Sequence, residues 1–136
     1  MVYVTDLNGI MLDVNEAGAR MLGYESREDV LGLKAAQAIY VKPQERKRFQ
    51  EIVDRAGSVQ DVETSFQRRD GTIIDVMITS TVRRNRKGDV EGYEGFVIDV
   101  TDRKRTERAL QESEEKYRTV VENSLSAIFI HQGGVL

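Results

Sequence analysis

The sequence predicts an α+β fold: a five-stranded antiparallel sheet, short helices inserted between its second and third strands, and a long C-terminal helix. Three observations lead there. β-prone segments occur first as a pair and later as a run of three, each joined to the next by turn residues. The stretch between the pair and the run is rich in helix formers and punctuated by glycines. From residue 101 to residue 118 glycine and proline vanish, and eleven of eighteen residues are charged. Strands and helices segregated in this way pack as a sheet carrying helices on one face.

The elements follow in order. Val2-Tyr3-Val4 is β-prone, Asp6-Leu7-Asn8-Gly9 carries turn chemistry, and Ile10-Met11-Leu12-Asp13-Val14 resumes as a second strand. Asn15 is a favoured helix N-cap, Glu16 suits the first turn, and Gly23 is a stop signal. A second start at Ser26-Arg27-Glu28-Asp29 halts at Gly32. Pro43, the only proline, opens a helix over 44–56 in which Phe49, Ile52 and Val53 form an apolar stripe and Gly57 ends the run. Arg46-Lys47-Arg48 reads as the wet face of that helix.

Val59 through Phe66, then residues 72–82, then residues 90–100 read as three long strands. Asp70-Gly71 is a hairpin signal between the first two, and Arg83-Arg84-Asn85-Arg86-Lys87-Gly88-Asp89 is a polar loop before the third. In the charged helix that follows, Thr106, Leu110, Ser113, Tyr117 and Val120 fall in the a/d rhythm of a coiled coil, a weak seam because two of the five are polar. Ile128-Phe129-Ile130 alternates like the N-terminal strand and is expected to be a strand that opens a second, truncated copy of the domain. The expected organisation is therefore a domain over 1–101, a signalling helix over 102–123, and the first strand of another domain over 124–136.

Composition narrows the chemistry. There is no cysteine, which removes disulfides, thiolate metal sites and cysteine nucleophiles. The one histidine, His131, permits no histidine cluster, so no metal site is expected. A net charge of −3 argues against a nucleic-acid footprint, and the basic 83–87 loop, flanked by Asp89 and Glu91, reads as solvated. No run approaches the apolar length of a membrane span, and residues 1–6 lack signal-peptide character, so a cytoplasmic segment without direct membrane contact is expected. No phosphate-cradling glycine loop or base-nucleophile pairing is visible, so the segment is expected to be non-catalytic.

At this point the residues carry a family likeness. Asn15-Glu16-Ala17 after the second strand, Gly23-Tyr24 at the end of the next helix, and Arg69-Asp70-Gly71 between two long strands resemble the PAS sensory domain. The junction Asp99-Val100-Thr101-Asp102-Arg103-Lys104 is similar to the Asp-Ile-Thr-Glu-Arg-Lys passage at which a PAS core hands over to its output helix. Residues 114–124 resemble the lead-in to another PAS copy. Each motif is common alone; their order and spacing over essentially the whole chain are specific. The resemblance implies a sensor and dimerisation module of a bacterial or archaeal multi-PAS protein, in the first place a sensor histidine kinase. It would relay a small-molecule or inter-domain signal through the C-terminal helix to an output domain. Its partners would be a second copy of the chain, the adjacent PAS and output domains, and an unidentified small molecule. A ligand-free spacer, or the regulatory PAS of a diguanylate cyclase or phosphodiesterase, stays open beside it; a nucleic-acid-associated regulator is a distant alternative.

The resemblance places a pocket between sheet and helices. By alternation and helical phase its expected lining is Met21, Leu22, Ile39, Phe49, Ile52, Val53, Phe66, Met77, Thr79, Phe96 and Ile98, residues that would equally fill an ordinary close-packed core. Within the family, the missing cysteine excludes cysteinyl-flavin chemistry, and the absence of histidine from the 43–56 helix disfavours haem. No cofactor is expected. Asp99, Thr101 and Asp102 are the expected signal-relay residues, because a strand end that becomes a helix start is a mechanical joint.

Overall fold

The computed structural model describes the backbone of residues 1–135 and the side chains of residues 1–124. Five strands are present: β1 (Val2–Asp6), β2 (Met11–Val14), β3 (Ser58–Gln67), β4 (Ile73–Arg84) and β5 (Val90–Asp99). The helices are α1 (Glu16–Met21), α2 (Ala35–Ala38), α3 (Pro43–Ala56) and α4 (Thr101–Val135), with a 3-10 turn over Arg27–Asp29. The strands form one antiparallel sheet in the order β2-β1-β5-β4-β3. The α+β class and the insertion of the short helices between the second and third strands are as the sequence predicts.

Local chemistry explains the boundaries. Asn15 caps α1 with its side-chain oxygen, which accepts from the Gly18 N–H at 2.9 Å and also from the Val2 N–H at 3.0 Å. Pro43 takes the first position of α3, where its missing N–H costs nothing, and Gly57 closes that helix at φ 83°. Its N–H reaches the Val53 carbonyl at 2.7 Å.

The chain divides into two compact units, Met1–Thr101 and the segment from Asp102 onward. The first has its core between the inner face of the sheet and α1–α3: Leu22, Val30, Ile39, Val53, Val76 and Ile78 are all but fully buried. The second is the continuous helix α4, on which Leu110, Tyr117 and Val120 are exposed.

Four expectations need correction. In β4 and β5 the inward phase was expected one residue out of register. Ile74, Val76, Ile78 and Ser80 face the core from β4, and Tyr93 and Val97 from β5. Met77 and Thr79 are half-buried on the outer face, while Phe96 and Ile98 are exposed there, beside Val2. Both strands carry consecutive apolar residues, so alternation alone does not choose a face; side-chain direction has a period of two, and packing settles it. Ile52 is exposed rather than inward, on the flank of α3. Arg46, expected on the wet face, is half-buried on the side of α3 shared with Phe49, Gln50 and Val53. Finally, residues 124–135 are the continuation of α4, not a strand. A helix satisfies its backbone groups within itself, whereas a strand needs a neighbour to pair with. The side chain of His131 and all of Leu136 lie outside the described residues.

Candidate functional site

Two places in the first unit concentrate polar side chains where a β-sheet domain is otherwise apolar. One is a cavity between sheet and helices; the other is the joint at the end of β5.

The cavity is small, about 40 Å3, and opens to solvent at its mouth. Its walls are largely apolar: Met11 from β2, Ala35 and Ile39 from the α2 region, Phe49 from α3, and Phe66, Ile78 and Val97 from the sheet. Into this surface project Tyr3 and Thr5 from β1, Tyr40 from the α2–α3 connection, Arg46 and Gln50 from α3, and Tyr93 from β5. A concave apolar surface with a few convergent polar groups is the usual form of a small-molecule site.

The polar groups form two sets. Arg46, Gln50 and Asp54 stand four residues apart along α3 and so share a face. Arg46 donates an Nη1 hydrogen bond to the Gln50 side-chain oxygen at 3.0 Å. The Gln50 amide nitrogen donates to the Tyr93 hydroxyl at 2.8 Å and to the Leu7 carbonyl at 3.0 Å. Tyr93 in turn donates to the Asp54 carboxylate at 2.6 Å. This chain links α3 to β5 across the cavity rim. The second set lies on the sheet, where Tyr3, Gly95 and Ser80 face one another across three strands. Gly95 leaves the space between Tyr3 and Ser80 without a side chain. Ser80 itself donates to the Glu94 carbonyl at 3.2 Å. Tyr40 packs edge-on against Phe66 with ring centres 5.0 Å apart.

Burial dominates the electrostatics of the three tyrosines. It raises the pKa of Tyr3 and of Tyr40 above the usual phenol value, and it pushes that of Tyr93 up to about 12, helped by the Asp54 carboxylate. All three are therefore neutral hydroxyls at physiological pH. The positive charge of Arg46 acts on each of them weakly in the opposite sense. The guanidinium is also packed tightly: a Cβ added at Gly9, a residue at φ +80°, would fall 2.3 Å from the Arg46 Cζ.

Of the residues expected to line the pocket, Ile39, Phe49 and Phe66 do so. Leu22 and Val53 are buried in the core outside the lining, and Met21 is half-buried against it. Ile52 borders an adjoining groove that shares Tyr40, Phe49 and Ile78 with the cavity, and there the Thr64 hydroxyl donates to the Glu45 carboxylate. Met77, Thr79, Phe96 and Ile98 are on the opposite face of the sheet. The polar half of the lining was missed, although the i, i+4 spacing of Arg46 and Gln50 beside Phe49 and Val53 was a usable signal. Among the described residues no group of three or more histidine, cysteine, aspartate or glutamate side chains gathers to hold a metal.

The joint is compact. The Thr101 N–H and hydroxyl both donate to Asp99 Oδ1, at 2.9 and 2.6 Å. The Thr101 hydroxyl oxygen also accepts from the Asp75 N–H of β4 at 3.0 Å, and the Val100 N–H donates to the Asp75 carbonyl at 2.8 Å. One side chain at the first position of α4 thus holds the ends of two strands.

The sequence profile of the PAS domain family matches residues 1–102. The chain belongs to the PAS domain family. As a PAS domain it is a sensory module, and its relatives are sensor proteins. It is 28% identical over 131 residues to sporulation kinase A of Bacillus subtilis (strain 168), covering 93% of this chain and 21% of that protein. It is 30% identical over 114 residues to the C4-dicarboxylate transport sensor protein DctS of Rhodobacter capsulatus, covering 81% of this chain and 17% of that one. The PAS chain therefore spans about a fifth of the length of these curated relatives. Its fold is similar to that of a PAS domain from Colwellia psychrerythraea, with a TM-score of 0.64 at 24% identity over 74% of this chain and 86% of the other. Among the described residues no helix is long and apolar enough to cross a membrane.

Proposed function

We propose that this PAS domain is the input and relay module of a sensor histidine kinase, reading a small molecule in the cavity and passing the change through Thr101 into α4. The observation that carries the relay is the double engagement of the Thr101 side chain, which bonds Asp99 at the end of β5 and the Asp75 N–H of β4. A displacement of these two strands moves the bonds that orient the first turn of α4. Asp102, next in the chain, places a carboxylate in that first turn, where the helix dipole favours it. The kinase context rests on the similarity to sporulation kinase A and to a named sensor protein. The output domain and neighbouring PAS copies are parts of the same polypeptide in this reading. A second copy of the chain pairs with it along the exposed Leu110, Tyr117 and Val120 of α4.

Thr101→Ala separates relay from stability. In the polypeptide that carries this module, the substitution is expected to alter the difference in autophosphorylation between inducing and resting conditions. Hydrogen exchange at the Asp75 amide is expected to accelerate, because its acceptor is gone, while the melting temperature falls by only the few degrees that a lost side-chain hydrogen bond causes. Unchanged output in both conditions would show that the joint only caps a helix.

A further inference from the structure

We propose that Phe49 is a movable partition: its ring swings from the cavity into the groove between α3 and β3, joining the two spaces into one chamber large enough for a small organic molecule. This rests on the reading of the cavity as the input site and states how a ligand gains room there.

The closed cavity measures about 40 Å3, little more than the ~30 Å3 that one water molecule occupies in the liquid. No organic ligand fits it as it stands. Beside it lies the groove of about 270 Å3, whose lining includes Ile52, Val62 and Thr64. Among the described residues, Tyr40, Phe49 and Ile78 alone line both spaces and so form the wall between them. With that wall open, the joined space reaches the ~300 Å3 at which small-molecule pockets begin.

Two of the three wall residues are fixed. Tyr40 pairs with Phe66 as an isolated β-bridge, and its ring packs edge-on against the Phe66 ring. The Val41 N–H beside it donates to the Ser65 carbonyl at 3.2 Å. Ile78 is buried in β4, paired with Val62 of β3 and Val97 of β5. Phe49 stands on α3 instead, and a helical phenylalanine has two staggered χ1 positions open to it, about 180° and −60°. The helix itself is held. The Gln50 amide donates to Tyr93 and to the Leu7 carbonyl, and the Gly57 carbonyl at the end of α3 accepts from the Val82 N–H at 3.0 Å. Motion at Phe49 is therefore a side-chain rotation rather than a swing of α3.

The groove is furnished to receive the ring. Ile52 is 42% exposed and Val62 half-buried, so apolar surface stands open where the ring would lie. Moving the ring exchanges one set of apolar contacts for another, which keeps the two positions close in free energy. The Thr64 hydroxyl donates to the Glu45 carboxylate, and Glu45 lies one turn before Phe49 on the same face of α3. This bond ties α3 to β3 beside the ring and acts as a latch on the closed position.

The test uses the whole chain with 13C-labelled phenylalanine rings and reads relaxation dispersion. Phe49 is expected to show microsecond-to-millisecond exchange, whereas Phe66, held against Tyr40, stays flat. Thr64→Val removes the latch while keeping the side-chain shape, and should raise the open population several-fold. Phe49→Leu shortens the partition and should bind indole, the probe, at least about tenfold more tightly than the parent. Saturable amide shifts are then expected at Tyr3 and Val97 on the cavity side and at Val62 and Thr64 on the groove side. Melting curves show that both variants are folded, and the dispersion of the parent and of Thr64→Val decides without Phe49→Leu. A flat Phe49 profile in both of those proteins, equal indole binding by parent and Phe49→Leu, or indole shifts confined to the groove side would overturn the partition. Native mass spectrometry tests the input reading separately. That reading stands without the partition if a small molecule co-purifies with a protein whose Phe49 is flat. It falls, with the partition intact, if Phe49 exchanges but no small molecule co-purifies and Phe49→Leu leaves the autophosphorylation response of the full polypeptide unchanged.

Discussion

The Tyr93 hydroxyl shows how single residues set the properties of this cavity. It is held between Gln50 and Asp54, two residues of one helix, while its ring is buried. Tyr93→Phe removes both bonds and keeps the ring. It is expected to cost about 1 kcal/mol, since Asp54 is exposed and can return to water, as urea unfolding would measure. The same residue gives stability a pH dependence. An unfolded tyrosine loses its proton near the ordinary value of 10.0, whereas folded Tyr93 keeps its proton to about 12. Between those values the native state binds more protons than the unfolded state, so stability declines as pH rises through the window. Tyr3 and Tyr40, raised in the same direction, add to the decline. Unfolding free energies measured in this alkaline range should fall less steeply for Tyr93→Phe than for the parent; equal slopes would contradict the shift. None of this was legible in the sequence, because a tyrosine in a strand carries no mark of which helix it will meet.

At the scale of elements, capping and turn chemistry were legible because they act over a few residues. Asn15, Pro43, Gly57 and the Asp70-Gly71 turn each sit where local backbone preference puts them. Asn15 does more than end a helix, since it also accepts from the Val2 N–H and so ties β1 to α1. Asn15→Ala is therefore expected to cost about 2 kcal/mol, the upper end of the range for a lost cap, and chemical denaturation would detect it. Strand phase was not legible. The apolar run Phe96-Val97-Ile98 offers no alternation, and only packing against α1–α3 turns Val97 inward. Val97→Asp should abolish cooperative folding by burying an unpaired charge, whereas Phe96→Asp, on the exposed face, should leave the melting temperature nearly unchanged. Circular dichroism melts of the two variants would expose any error in the assigned phase.

At the scale of the whole molecule, the apolar positions of α4 matter most. Leu110, Tyr117 and Val120 are 59%, 74% and 56% exposed, while Thr106 and Ser113 complete a seam with only three apolar members. The proposed homodimer should accordingly be weak and depend on concentration. Sedimentation equilibrium of the full chain is expected to show a monomer–dimer exchange that Leu110→Glu shifts to monomer. Persistence of the dimer in that variant would place the contact elsewhere.

The sequence by itself determined the order of strands and helices along residues 1–123 and the turns between them. These depend on interactions between near neighbours or on a motif read in one stretch. It also supplied the family likeness that the match over residues 1–102 establishes. Only the tertiary structure decided which face of β4 and β5 is buried, and that 124–135 continues α4. It likewise brought Arg46 inside with Tyr3, Tyr40 and Tyr93. Those outcomes turn on side chains distant in the chain, or on whether a β-prone segment has a neighbour to pair with. A charged residue on a helix looks the same in sequence whether it meets water or a cavity; the packing of α3 across the sheet makes the difference.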